Sequence, residues 1–134
     1  MQKIEFTDDL RLGIKVVDDQ HRKLVDLING LIDLEADEGG SDAIPRALDE
    51  LADYIEIHFQ AEEEMMKAVD FPAFAEHRLQ HAEFVKKTLQ FNREYRIGGD
   101  NLGVDMLIFL STWLIDHIKG EDPKFVPFFK AHGF

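Results

Sequence analysis

Two pairs of side chains near the middle of the chain have the spacing of metal ligands on a helix. His58 precedes Glu62 by four residues, and His77 precedes His81 by the same interval. Because residues four apart lie on one face of an α-helix, each pair presents two ligand groups side by side. A turn around Pro72 would fold the two helices antiparallel and bring the pairs face to face. The sequence therefore predicts metal-binding chemistry here.

Histidines also lie on the apolar stripes of the other predicted helices. His21 shares a stripe with Leu24 at helical spacing, and His117 follows Trp113 on another. All the histidines except His132, which is expected at the surface near the C-terminus, are thus predicted to face inward. A buried polar group without a partner costs roughly 1 to 3 kcal/mol. So many inward histidines therefore indicate a bound metal and not an ordinary core.

A carboxylate beyond the last predicted long helix extends this set. Asp122 follows His117 by five residues, which on a regular helix would turn it about 140° away from the histidine. Gly120 and Pro123 flank this point. We therefore expect the helix to end there and Asp122 to turn back towards the metal.

Three other acidic residues near these groups are predicted to have other roles. Glu63 and Glu64 directly follow Glu62, and helix geometry turns them away from the ligand face by about 100° and 200°. We therefore expect both on a solvated face. Asp18 lies three residues before His21 and is predicted first as an N-cap, with a hydrogen bond to that imidazole as the alternative.

The predicted ligand set is too large for a single ion. A zinc ion takes about four ligands, and the two carboxylates of this larger set could bridge a pair of ions. With one bridging oxygen, these groups would leave one coordination position open on two octahedral ions. The predicted metal ligands are His21, His58, Glu62, His77, His81, His117 and Asp122.

Apolar periodicity predicts an all-α protein that positions these ligands. Four amphipathic helices joined by short turns are typical of an up-down-up-down four-helix bundle. We expect one domain, with an extended N-terminal arm (residues 1–17), the bundle (18–122) and a C-terminal cap (123–134) in which Phe125 to Phe129 pack as a short helix. The glycine pairs at 39–40 and 98–99 are predicted to end the first and third helices, and Ser41 to be the N-cap of the second.

The charge balance narrows the range of partners and locations. With 27 acidic and 15 basic residues, the net charge is −12, so the surface repels nucleic-acid phosphates and anionic lipid. The absence of cysteine excludes thiolate metal sites. The N-terminus has no apolar segment of a secretion signal, and the most apolar stretch is too short and too charged to span a bilayer. We expect a cytoplasmic monomer that binds neither nucleic acid nor membrane.

Four motifs together resemble the hemerythrin family, and the single-domain bacteriohemerythrins in particular. They are D-D-Q-H ending at His21, H-F-x-x-E from His58, H-x3-H from His77, and W-L-I-D-H-I-x3-D ending at Asp122. Their order and spacing agree with the family from about residue 6 to about residue 130. One departure is Phe6, where many bacterial members have a tryptophan, and it concerns only the packing of the arm.

The resemblance implies a non-haem di-iron centre, bridged by an oxo or hydroxo group, that binds O2 reversibly. Three histidines would hold one iron, two histidines would hold the other, and two carboxylates would bridge them. In that order the implied ligands are His77, His81 and His117; His21 and His58; Glu62 and Asp122. The open position for O2 would be on the iron with two histidines.

Reversible O2 binding requires a dry pocket, because water and protons would otherwise drive the oxygenated centre on to an oxidised form. We predict that apolar residues one helical turn or less from the ligands form this pocket, with ordinary core packing as the alternative. These residues are Leu24, Phe59, Trp113, Leu114 and Ile118.

The sequence favours an O2 carrier, storage or delivery protein with an O2-consuming client over an enzyme. A di-iron peroxidase or nitric-oxide-handling enzyme is one alternative, but the Glu-x-x-His pairs of ferritin-like di-iron proteins do not occur in this sequence. The other alternative is an O2 or redox sensor domain, in which ligand binding would change the packing of the arm or of the last helix.

Overall fold

Four long helices and one short helix make up most of the computed structural model, which describes residues 1–37, 43–98 and 102–134. The helices are α1 (Lys15–Ala36), α2 (Ala43–Ala68), α3 (Phe74–Ile97), α4 (Leu102–Gly120) and α5 (Val126–His132). Single 3-10 turns precede α1 at Asp8–Leu10 and α5 at Asp122–Phe125. None of the described helices combines the length and apolar character of a membrane span.

The long helices pack as neighbours in the order of the chain. α1 packs on α2, α2 on α3, α3 on α4, and α4 returns to α1 and closes the bundle. Short connections between neighbouring helices make successive helices run in opposite directions. The predicted all-α, up-down-up-down four-helix bundle is therefore confirmed.

Two groups of buried apolar side chains form the core. The larger group fills the bundle and includes Leu24, Ile28, Leu51, Ile55, Phe84 and Leu110. The smaller group closes the end at which α5 packs, and includes Ile14, Val17, Met66, Phe71, Phe125 and Phe129. The prediction that Phe125 to Phe129 form an aromatic cap agrees with this packing.

The N-terminal arm is shorter and less extended than predicted. It contains the 3-10 turn, and α1 begins at Lys15 and not at Asp18. The reason is a local one: Gly13 adopts a positive φ of 83°, and the Asp18 carboxylate accepts hydrogen bonds from the amides of Leu12 and Gly13 at 2.8 and 3.1 Å. Asp18 thus lies inside the first turn of α1 and stabilises the turn that precedes the helix. Its prediction as the N-cap was therefore wrong.

The arm is held on α1 by specific contacts. The Ile4 amide donates to the Asn29 side-chain oxygen at 2.7 Å, and the Asn29 amide group donates back to the Ile4 carbonyl at 2.8 Å. The guanidinium of Arg22 lies over the ring of Phe6 at 4.8 Å. Phe6 therefore gives the arm an aromatic anchor of its own at the point where the sequence departs from the family pattern.

The predicted end of α3 agrees with the structure, whereas α1 ends at Ala36, with Asp37 as its C-cap, before the glycine pair that was predicted to end it. Gly98 is the C-cap of α3, with a φ of 90° that favours glycine, and its amide donates to the Tyr95 carbonyl at 3.1 Å. Gly39, Gly40, Ser41 and Gly99 lie outside the described residues.

Candidate metal centre

All seven predicted ligands meet in one buried cluster inside the bundle. None has more than 5% of its surface exposed. Each of the four long helices supplies at least one histidine, because the ligands lie on the same stripes that bury the apolar core. His132, by contrast, is exposed as predicted.

Three histidines converge on one side of this cluster. The Nε2 atom of His117 lies 3.1 Å from that of His77 and 3.2 Å from that of His81. Glu62 Oε1 lies 3.1 Å from His77 Nε2 and 3.2 Å from His81 Nε2. Asp122 Oδ1 lies 3.1 Å from His77 Nε2 and 3.0 Å from His117 Nε2.

Two histidines form the other side, against the remaining oxygens of the same carboxylates. Glu62 Oε2 lies 3.2 Å from His58 Nε2 and 3.6 Å from His21 Nε2. Asp122 Oδ2 lies 3.2 Å from His21 Nε2. Each carboxylate thus directs one oxygen to each side, which is the arrangement that two bridging ligands require.

The end of α4 brings Asp122 into this position. α4 stops at Gly120, the Glu121 amide donates to the His117 carbonyl at 2.9 Å, and a 3-10 turn with Pro123 in it begins at Asp122. The regular helix thus ends before Asp122, and its carboxylate lies on the histidine face, 3.0 Å from His117 Nε2, as the sequence predicted.

The nitrogen spacing fits a metal ion on the three-histidine side. With a metal–nitrogen bond of about 2.1 Å, two nitrogens at right angles around an octahedral ion lie about 3.0 Å apart, and two at a tetrahedral angle about 3.4 Å apart. The two Nε2 distances of 3.1 and 3.2 Å from His117 lie between these two values. These three histidines form, with Glu62 and Asp122, one group of potential ligand atoms within 4.8 Å of one another. A second group consists of His21, His58 and Glu62.

The buried carboxylate oxygens also call for a cation. Within the described part of the chain, Glu62 Oε2 and both side-chain oxygens of Asp122 accept no well-directed hydrogen bond. Burying such oxygens without a partner is strongly unfavourable. A metal ion shared between the two carboxylates would provide the missing interaction, so these residues fit the group that the sequence implies.

Burial and the charges within the cluster shift the pKa values of its side chains in opposite directions. Burial lowers the pKa of His21 and of His77, but the carboxylates of Asp122 and Glu62 outweigh it and raise both pKa values to about 9. At His58 burial dominates and lowers the pKa. Burial favours protonated carboxyls, yet the surrounding histidines hold the pKa of Glu62 and of Asp122 below the usual range. Protons and metal ions therefore compete for the same sites.

Two side chains that hydrogen-bond to candidate ligand histidines were not predicted. His58 Nδ1 donates to Gln20 Oε1 at 2.6 Å, and His81 Nδ1 donates to Glu63 Oε2 at 3.0 Å. The expectation that Glu63 faces solvent was wrong, since only 20% of its side chain is exposed. Glu63 is rotated by about 100° from Glu62 around the α2 axis, which directs it towards the neighbouring helix α3. This rotation was the sequence signal that could have predicted the contact. Glu64 is exposed as predicted.

The alternative role for Asp18, as a hydrogen-bond acceptor for His21, does not occur. Both Asp18 oxygens accept backbone amides, and His21 Nδ1 has no hydrogen-bond partner among the described residues.

The residues predicted to form the O2 pocket belong to the larger core group of the bundle. Leu24, Phe59, Leu114 and Ile118 are at most 4% exposed, and Trp113 is partly buried against the same core group. The Phe59 ring stacks on His81 and the Trp113 ring on His117, at centroid distances of 3.7 and 4.4 Å. These two aromatic residues thus contact the three-histidine side, whereas O2 is expected on the two-histidine side.

Comparison with known proteins identifies the class that this fold and cluster define. Residues 12–129 match the model of the hemerythrin HHE cation-binding domain. The chain belongs to the hemerythrin family.

Individual relatives cover nearly the whole chain. A bacteriohemerythrin of Stenotrophomonas maltophilia is 33% identical over 98% of this chain and 85% of its own length, and one of Clostridium acetobutylicum is 32% identical over 90% and 97%. A crystal structure of wild-type hemerythrin has a TM-score of 0.80 at 30% identity, covering 87% of this chain and 88% of its own. The recognition of the sequence as similar to bacteriohemerythrins is therefore confirmed.

Proposed function

We propose that this protein binds O2 reversibly at a non-haem di-iron centre and acts as an O2 carrier, storage or delivery protein. The observation that supports this most strongly is the two-sided cluster, in which Glu62 and Asp122 each direct one oxygen to either side. A single metal ion would not need this division. The family to which the chain belongs favours the same function.

The proposed ligands follow the two sides of the cluster. Three histidines would hold one iron, two histidines would hold the other, and the two carboxylates would bridge them. In that order they are His77, His81 and His117; His21 and His58; Glu62 and Asp122. The side with two histidines has fewer protein ligands, which leaves room there for O2.

The bound irons would supply the electrons for reversible O2 binding, and the protein's part is to keep that site dry and oriented. Leu24, Leu114 and Ile118 are proposed to exclude water, because each is almost fully buried. Phe59 and Trp113 are proposed to complete the apolar wall and to hold two imidazoles by stacking. Without such a wall, water and protons would favour oxidation over release of O2.

Iron content of the purified protein and of matched histidine variants tests the proposed ligands. We expect two irons per chain in the natural protein, and a loss of bound iron in His81→Ala. His132→Ala, which removes an exposed histidine, should keep both irons. One iron per chain, or equal iron content in the two variants, would contradict the proposed ligand set.

The same preparation distinguishes a carrier from an enzyme. A carrier should return to its reduced spectrum when O2 is removed, and it should not consume added peroxide or nitric oxide over many cycles. Sustained turnover of either substrate would overturn the carrier function in favour of a di-iron enzyme.

A further inference from the structure

Two imidazoles of the cluster are held at Nδ1 by side chains that differ in charge. The neutral amide oxygen of Gln20 accepts from His58, and the carboxylate of Glu63 accepts from His81. Because each oxygen can only accept, both Nδ1 atoms must carry the proton. The Nε2 lone pair of each imidazole is then directed into the cluster, where a metal would bind.

The negative charge of Glu63 acts on His81 and is only weakly neutralised by neighbouring cations. Its nearest cation is Arg78, whose Nε lies 3.7 Å from Glu63 Oε1, beyond the distance of a good hydrogen bond. The Arg78 side chain is 67% exposed, so water screens this ion pair strongly. Glu63 itself is only 20% exposed, and its hydrogen bond to His81 therefore carries most of its effect.

A carboxylate behind a ligand histidine has a known physical consequence. It orients the ring and makes the nitrogen that binds the metal more basic, and a neutral amide does so less. A more basic nitrogen stabilises the more highly charged state of a metal ion. The three-histidine side of the cluster has such a carboxylate at His81, and the two-histidine side has an amide at His58.

We propose that Glu63 and Gln20 are positioning residues that make the two halves of the metal centre unequal in electron-donating strength. This inference rests on the proposed di-iron function and adds the order in which the two irons are oxidised. The iron beside His81 is the easier one to oxidise, and the iron beside His58, where O2 is proposed to bind, stays ferrous more readily. Neither residue binds the metal itself.

Both positioning residues lie at the walls of surface cavities, so polar substitutions fit there without repacking the core. Glu63 lines a cavity of about 410 Å³ together with Phe59 and His81. Gln20 lines one of about 530 Å³ together with Tyr54. The exchange of an amide for a carboxylate at either position changes charge with almost no change in volume.

Zinc affinity tests the positioning role apart from any redox chemistry. Glu63→Ala removes the acceptor and is expected to weaken zinc binding by about 10- to 100-fold in chelator competition. Glu63→Gln keeps an acceptor oxygen and should restore most of the affinity. Glu64→Gln removes the neighbouring, exposed charge and serves as the control. Equal zinc affinity of Glu63→Ala and Glu64→Gln would overturn the positioning role.

NMR of the zinc-loaded protein gives a second readout of positioning. Because zinc is diamagnetic, the ring nitrogens of His81 can be observed, and the proton should be on Nδ1 in the natural protein and in Glu63→Gln. A proton on Nε2 in the natural protein would contradict the proposed arrangement.

Reduction potentials of the iron-loaded protein test the charge itself. Glu63→Gln should raise the potential of the first oxidation, while Glu64→Gln should leave it unchanged. Adding Gln20→Glu to Glu63→Gln should move the first oxidation to the iron beside His58, seen as a changed mixed-valence spectrum.

If Glu63→Gln and Glu64→Gln have the same potential, the proposed inequality is wrong although O2 binding stands. Failure of the natural protein to hold iron would instead contradict the proposed function, and the zinc measurements would still decide the positioning role.

Discussion

The ring of Phe59 lies flat against the imidazole of His81, with 3.7 Å between the ring centroids and 1° between the ring planes. Phe59 follows His58 directly on α2, so one helix supplies a candidate ligand and also the ring that packs on a candidate ligand of the next helix. The same histidine is held at Nδ1 by Glu63. Apolar packing and a hydrogen bond together fix its orientation.

Truncation of this ring should destabilise the bundle strongly. Phe59 is 4% exposed, and we expect Phe59→Ala to lower the free energy of unfolding by about 3 to 5 kcal/mol because it leaves a cavity. Ile57→Ala, on the same helix at a side chain that is 59% exposed, should change it by about 0.5 kcal/mol or less. Urea denaturation of both metal-free variants measures the difference, and similar losses would show that the Phe59 stack is not a core contact.

Removal of metal should lower stability. The cluster places two carboxylates in the core with oxygens that lack well-directed donors among the described residues, so a bound ion stabilises the folded state. At a free metal concentration of 100 times Kd, the gain is about 2.7 kcal/mol. Thermal melting with and without zinc measures it. Equal melting temperatures would contradict the idea that these side chains bind a metal.

The metal-free protein should lose stability as the pH rises above neutral. The pKa values of His21 and His77 are raised to about 9 by Asp122 and Glu62, against about 6.5 in the unfolded chain. Their protonated forms therefore stabilise the fold fully below pH 6.5, and this contribution is lost as the pH rises through 9. The pKa of His58 is shifted in the opposite direction, and that shift changes stability only below about pH 6.5, outside this range.

Melting temperatures between pH 6.5 and pH 10 measure this loss. The zinc-loaded protein should lack it, because metal binding requires neutral imidazoles and is favoured at the higher pH. A melting temperature of the metal-free protein that stays constant or increases over this range would show that the histidines do not pair with the carboxylates as described.

The proposed O2 pocket predicts a specific effect of Leu114→Ala. The side chain is 3% exposed, and its removal should admit water and speed the oxidation of the oxygenated protein several-fold. Leu107→Ala, at another buried position of α4 with 2% exposure, should lower stability similarly without that effect. The decay of the oxygenated spectrum measures both rates. Equal oxidation rates in the two variants would contradict the assignment of Leu114 to the O2 pocket.

The ligand cluster could be predicted from the sequence because it uses the same helical periodicity as the core. His58 and Glu62 continue the apolar stripe of α2, and His77 and His81 that of α3. A residue on such a stripe faces the bundle axis whatever the angle between the helices. Even Asp122, which breaks the spacing, was marked by the flanking glycine and proline.

Features that depend on the distance between two helices could not be predicted in this way. Glu63 contacts His81 only because α3 lies close to α2 at that height, and Gln20 contacts His58 across the α1–α2 boundary. The start of α1 depended on Asp18 folding back on Gly13. Helical periodicity predicts which side of a helix each residue lies on. These three contacts involve residues between the buried and the exposed side, and whether such a residue contacts solvent or another side chain depends on the neighbouring element.

The most direct test of the proposed function is the visible spectrum of the reduced, iron-loaded protein through repeated cycles of O2 addition and removal. We expect an absorption band from charge transfer between iron and bound oxygen to appear with O2, to disappear when O2 is removed, and to return with the same intensity at two irons per chain. A protein that holds two irons but shows no such band, or shows it once and then remains oxidised, would contradict reversible O2 binding.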